Sequence, residues 1–262
     1  MDNKTLENQR VLIVDDQRAI QLMFKGILYQ MGATNVAFSP TGEQALAKCA
    51  TVSYDVLFVD YHLGVGKNGK QLLEDLREKK LLAPHSIFML VTGENKVPMV
   101  MSAVELEPDD YLVKPFSQNV LRSRIQRIQR KKSQLAALYQ ALFDDQPERA
   151  IELCQQAIAS ESRYQQFCKR VMVENLLILH RYDEAELILL NSLNQHRSGW
   201  ALLLQAKLCF ELQRFDESLA LCQEAIESNR YFAEAYDIQA MTYQATGDQE
   251  QAFSSIQTAA EI

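Results

Sequence analysis

Five polar residues stand at the ends of apolar runs. Asp15 and Asp16 follow RVLIV, Asp60 follows DVLFV, Thr92 follows SIFMLV, and Lys114 follows YLV. Two unit charges about 4 Å apart repel by about 4 kcal/mol at an effective dielectric near 20, so three carboxylates gathered in one place require a cation. Oxygen ligands without histidine or thiolate favour magnesium, which takes one or two carboxylates and keeps its other positions for water and phosphate oxygens. The chemistry indicated is phosphoryl transfer at a carboxylate.

These residues need elements that gather them. The apolar runs, with VAF as a fifth, have the length and composition of buried strands and alternate with helix-like segments, the pattern of parallel βα units. Ile20, Met23, Phe24, Ile27, Leu28 and Met31 keep helical spacing, and Gly32 stops that helix. Five strands and five helices in the first half make one doubly wound α/β domain. Such sheets place their functional site beyond the carboxyl ends of the strands.

At VDD, FVD, VTG and YLVKPF the chain resembles the receiver domain of bacterial two-component response regulators, over about Arg10 to Arg130. The resemblance implies a flavodoxin-like five-stranded parallel sheet. It makes Asp60 the phosphoacceptor, fed by a sensor histidine kinase or phosphotransfer protein. Asp16, Asp15 through water, Asp60 and the backbone carbonyl of His62 hold Mg2+. Thr92 binds the phosphoryl group, Lys114 pairs with it, and Thr92 and Tyr111 form the switch. Gly93 leaves phosphate access open. The implied role is a self-phosphorylating acceptor, not a turnover enzyme. Two departures bear on loop rigidity and phosphoryl lifetime. DYHLGVGKNG has Gly64 where the family usually has proline and is one residue longer, and His62 and Glu94 occupy positions that tune dephosphorylation.

Beyond residue 132 no strand signal remains. An interval of 34 pairs Ala206 with Ala240, Cys209 with Tyr243, Ser218 with Ala252, Cys222 with Ile256 and Ala225 with Ala259. Ala150 and Ala185 take the position of Ser218 in two weaker copies, with Ala157 and Ser192 matching Ala225. The pattern resembles the tetratricopeptide repeat (TPR), a helical hairpin that stacks into an all-α solenoid and binds proteins or peptides. Repeats are expected from about 131, 166, 199 and 233. Trp200 lies off the usual aromatic position, and the turn glycine survives only as Gly247. The expected domains are 1–130 and 131–262, joined by one stiff helix over about 118–143 whose apolar stripe has Lys132 as its gap.

The 262 residues are 47% hydrophobic and 23% charged, with a net charge of −7. That charge is uneven: 18 Lys and Arg against 15 Asp and Glu up to Lys132, then 9 against 19. The acidic second half argues against nucleic acid as a ligand of this chain, and the basic run from Arg122 to Lys132 reads as a solvated helix face or dimer contact. Five scattered cysteines and four histidines make neither a zinc site nor a disulfide framework. Met1 to Gln9 is polar and no apolar run approaches the roughly 18 residues of a membrane span, so a cytoplasmic location is expected. The functional expectation is a response regulator whose Asp60 phosphorylation controls protein binding by the repeats, with a homodimer as a further expectation. Alternatives are a modulator or phosphate sink acting on its own kinase, or a transcription regulator with a DNA-binding domain beyond residue 262. An uncovered fourth repeat suggests a fragment of a longer protein.

Overall fold

The computed structural model describes residues 5–93 and 108–261, and the chain divides into two compact units between Phe143 and Asp144. In the first unit β1 (Arg10–Val14), β2 (Asn35–Ser39), β3 (Val56–Asp60), β4 (Ile87–Thr92) and β5 (Asp110–Val113) form a parallel sheet in the order β2-β1-β3-β4-β5. Each expected run is a strand, and the order is that of the flavodoxin-like class. Every residue of β3 and β4 is buried, because helices cover both faces and apolar side chains are needed on each. Val11, Ile13, Val56 and Phe58 pack on one face with Phe24 and Leu28 of α1 (Arg18–Gln30) and with Leu121 and Ile125 of α4 (Gln118–Gln134). Leu12, Leu57, Val59 and Leu90 pack on the other with Ala45 of α2 (Gly42–Cys49) and Leu72, Leu73 and Leu76 of α3 (Gly69–Glu78). Glu94 and the helix expected between the fourth and fifth strands lie outside the described residues.

Two expectations need correction. In α1 the buried row is Gln21, Phe24 and Leu28, while Met23 is exposed. The stretch expected as one helix from 118 to 143 is two helices: α4 ends at Gln134, Leu135 breaks the run, and α5 (Ala136–Phe143) follows within the first unit. The apparent gap at Lys132 is buried. Its ammonium is drawn inward to Asp109 at 3.0 Å and to the carbonyl of Ser86, and it lies 4.9 Å from the centroid of the Tyr139 ring. Lys80 stands 5.8 Å from the centroid of the Phe143 ring. These contacts tie α5 to residues at the amino end of the sheet, and the first compact unit runs to Phe143, past the boundary expected near 130.

The second unit is helical throughout its described residues: α6 (Pro147–Ala159), α7 (Gln165–Ile178), α8 (Tyr182–Gln195), α9 (Gly199–Glu211), α10 (Phe215–Ser228), α11 (Ala233–Thr246) and α12 (Gln249–Glu261). Each helix packs on the next, and α9 also packs on both α7 and α11, an arrangement consistent with repeated hairpins. Small residues line the contacts: Ala150, Ala185, Ser218 and Ala225 are fully buried. The turns share a left-handed residue, Asp145, His180, Gln213 or Gly247, with φ between 52° and 86°. The turn glycine is therefore replaced in sequence while its backbone conformation is kept.

Candidate functional site

The register of the sheet builds the site. Val14 pairs with Val59, so Asp15 comes level with Asp60 on the neighbouring strand. Asp60 pairs with Val91 and Thr92 with Val113, so Thr92 and Lys114 each follow one step later along the edge. Alternation along the strands puts Asp15, Asp60 and Lys114 on the face of Ile13, Phe58 and Leu112. Thr92 and Tyr111 belong to the opposite face, where the Tyr111 ring packs against the Leu57 and Leu90 cluster with its hydroxyl enclosed.

Lys114 joins the two aligned carboxylates. Its Nζ donates to Asp15 Oδ2 at 2.7 Å and to Asp60 Oδ2 at 2.5 Å. Asp60, 8% exposed, also accepts from the His62 backbone N–H at 3.1 Å, and Asp15 accepts from that of Gln17 at 2.9 Å. Burial raises the Asp60 pKa above the ordinary carboxylate value; Lys114 and the His62 N–H oppose that rise, and the charge of Asp15 adds to it. Burial disfavours the charge on Lys114, but the two carboxylates together outweigh it and raise its pKa. The ammonium alone does not cancel this site. With exposed Asp16, three carboxylates and one ammonium leave two negative charges, the charge of one divalent cation.

The donor set fits magnesium. It consists of carboxylate and carbonyl oxygens, the ligands that magnesium prefers. A cation here would keep several water or phosphate oxygens, as magnesium does and as zinc cages do not. Asp16 stands at the rim, its Oδ2 3.4 Å from where a Cβ on Gly64 would lie.

Sequence reasoning missed three supports. Gln21 is buried and donates to the carbonyl of Asp15 at 2.7 Å and to that of Ser39 at 3.4 Å, holding the turn that carries Asp15. Its spacing from Phe24 and Leu28 was the available signal. Gly69 starts α3, and a Cβ there would meet the Asp60 carbonyl at 2.6 Å and Leu90 at 2.8 Å; only glycine lets that helix approach the acceptor strand. Glu43 accepts from the Lys67 backbone N–H at 2.8 Å, which ties the glycine-rich loop after Asp60 to α2.

Residues 11–126 match the family described as the response regulator receiver domain. The chemotaxis protein CheY of Pseudomonas aeruginosa is 32% identical over 119 residues, which cover 94% of that protein and 45% of this chain. The chain belongs to the response regulator receiver family. The alkaline phosphatase synthesis transcriptional regulatory protein PhoP of Bacillus subtilis is also 32% identical, over 141 residues that cover 56% of that protein and 54% of this chain. Among solved structures, chemotaxis protein CheY4 of Vibrio cholerae is similar at 26% identity, covering 98% of that chain and 46% of this one with a TM-score of 0.42. The receiver domain thus accounts for about half of this chain. Receiver domains generally bind magnesium at the phosphorylation site and work with histidine kinases or phosphotransfer partners. Among the described residues no helix is long and apolar enough to cross a membrane.

Proposed function

We propose that Asp60 is the phosphoacceptor of this receiver domain and that its phosphorylation controls protein binding by the helical unit, a TPR solenoid. The observation that carries the reading is the Lys114 bridge between Asp15 and Asp60 at the carboxyl end of the sheet. A carboxylate oxygen of Asp60 attacks phosphorus in line, an O–P bond forms, the P–N bond of the donor's phosphohistidine breaks, and its electron pair leaves with the imidazole. Lys114 already touches the attacking carboxylate and stands ready to neutralise charge on the transferring oxygens. Asp16, Asp60 and the His62 carbonyl would hold Mg2+, with Asp15 acting through water, and the ion when bound offsets phosphoryl charge. Nothing in this scheme turns over a separate substrate, so the domain is an acceptor and not a classical enzyme.

The product carries added charge and strong acceptor oxygens. Thr92 moves toward them, and Tyr111, on the same face, fills the space it leaves. Tyr111 adjoins Asp110, which is held by Arg124 at 2.8 Å and Arg127 at 2.6 Å, so movement of β5 is felt by α4. The acidic helical unit suits a protein or peptide ligand better than duplex DNA, whose phosphates it repels. A cytoplasmic site of action follows from dependence on a phosphorylated donor. Beryllofluoride with magnesium, a phosphoryl mimic, tests the reading by hydrogen exchange on the full chain. Exchange should change in β5, in α4 and within 144–261, and in none of these in Asp60→Asn. Change confined to the receiver domain would contradict control of the helical unit.

A further inference from the structure

The loop from His62 to Asn68, which follows the acceptor, is closed at its base. Gly69 N–H donates to the Tyr61 carbonyl at 2.9 Å, and Asn68 caps α3 with a reciprocal bond to Gln71. Between these ends two glycines take left-handed conformations, Gly64 at φ 71° and Gly66 at φ 107°, and Val65 between them is 97% exposed. Glycine loses more backbone freedom on ordering than any other residue. Proline, whose ring holds φ at about −65°, cannot stiffen the loop at Gly64 in this conformation.

The restraint comes from α2. Glu43, in its first turn behind the Thr41 cap, accepts from the Lys67 backbone N–H at 2.8 Å. That bond, followed by the residue's own backbone N–H, holds the Glu43 carboxyl below the usual carboxylate pKa, so the acceptor is ionised at neutral pH. A Cβ on Gly66 would lie 2.6 Å from Glu43 Oε1, and one on Gly42 would lie 3.0 Å from the Lys67 Cβ; glycine at both positions lets α2 and the loop close on each other. Lys67 Nζ reaches Asp75 of α3 at 2.7 Å, so this residue is held by its backbone to α2 and by its side chain to α3. The other limb of the loop borders the carboxylates. A Cβ on Gly64 would lie 3.4 Å from Asp16 Oδ2, and the His62 N–H donates to Asp60 at 3.1 Å.

We infer that Glu43 is a positioning residue for the cation site: by clasping Lys67 it fixes the loop whose other limb carries the His62 carbonyl and borders Asp16. The inference rests on the reading that Asp16, Asp60 and the His62 carbonyl hold Mg2+. Without the clasp the glycine limb is free, and Mg2+ has to order it on binding, which weakens the affinity.

Isothermal titration calorimetry of the full chain with magnesium chloride, without a phosphodonor, reads the affinity, and amide hydrogen exchange reads the loop. Glu43→Ala should weaken Mg2+ binding about fivefold, the scale of one exposed hydrogen bond, and speed exchange across 62–68. Glu43→Gln, whose amide oxygen still accepts from the Lys67 N–H, should stay within about twofold of wild type in both measurements. Both substitutions remove one negative charge, so the rescue separates the clasp from the charge. Equal weakening in the two variants, or unchanged affinity in Glu43→Ala, overturns the inference. Asp16→Asn, which removes a ligand, separates this inference from the reading beneath it. If Asp16→Asn weakens Mg2+ binding and Glu43→Ala does not, the Mg2+ site stands and the role of Glu43 falls. If Mg2+ binds Asp16→Asn as it binds wild type, the reading falls and the inference with it.

Discussion

The receiver domain buries a lysine at each end of its sheet, and the two live under opposite electrostatics. At the carboxyl end Lys114 faces two carboxylates, Asp15 and Asp60, and its pKa rises. At the amino end Lys132, 9% exposed, has one carboxylate, Asp109, together with the Ser86 carbonyl and the Tyr139 ring; burial dominates, and its pKa falls. The first cluster is short of positive charge, which suits the cation and the phosphoryl group proposed for it. Among the described residues the second pairs Lys132 with one carboxylate, and the positive charge of Arg77 adds to the effect of burial. A buried lysine thus marks a chemical site where carboxylates outnumber it, and a structural pin where they do not.

Substitutions can break this contrast. Lys114→Met should slow phosphorylation by a small acyl phosphate about 100-fold or more, because Asp60 loses the group that offsets transferring charge; phosphate labelling reads the rate. Lys132→Met should leave that rate within about twofold. It should instead destabilise the first unit by up to about 3 kcal/mol in urea denaturation, since half-buried Asp109 loses its ammonium partner and keeps the Phe88 backbone N–H at 2.8 Å. Comparable rate losses in the two variants would remove the distinction.

The pH dependence sharpens it. Lys132 holds its proton less firmly in the folded chain than at the ordinary value of 10.5. Between its folded and unfolded pKa the unfolded chain binds more protons, so this residue's contribution to stability rises as pH increases through that window. The stability difference between wild type and Lys132→Met should therefore change on the alkaline side below 10.5, wild type gaining relative to the variant. A pH-independent difference would mean that Lys132 titrates normally. The smallest effect belongs to Arg127, whose side chain is 63% exposed in its pair with Asp110. Arg127→Ala should cost less than about 1 kcal/mol, and a larger loss would show that the β5–α4 contact is structural in the manner of Lys132.

The sequence made one of these lysines legible and hid the other. Lys114 ends a strand-like run beside a turn, and strand ends in parallel sheets are where chemistry collects, so Asp15, Asp60, Thr92 and Lys114 could be read together. Lys132 interrupts an apolar helical stripe and reads as a gap, because its partners Asp109 and Ser86 come from distant loops that only the fold brings near. The same blindness affected Gln21, a polar residue on the buried row of α1, and Gly69, whose need for space appears only once α3 meets the end of β3. The break at Leu135, three residues beyond Lys132, was equally unreadable. The hairpin periodicity was visible in small residues alone, and the conserved turn geometry was not, since His180 and Gln213 adopt the conformation that Gly247 adopts.

The central claim, that the cluster with surplus carboxylates is where the phosphoryl group goes, is tested most directly by chemical mapping. After reaction with a small acyl phosphate and magnesium, borohydride reduction converts an aspartyl phosphate to homoserine, which tandem mass spectrometry locates. The account predicts homoserine at Asp60 alone, and none in Asp60→Asn. Homoserine at Asp15, Asp16 or Asp109, or labelling that survives in Asp60→Asn, would contradict it.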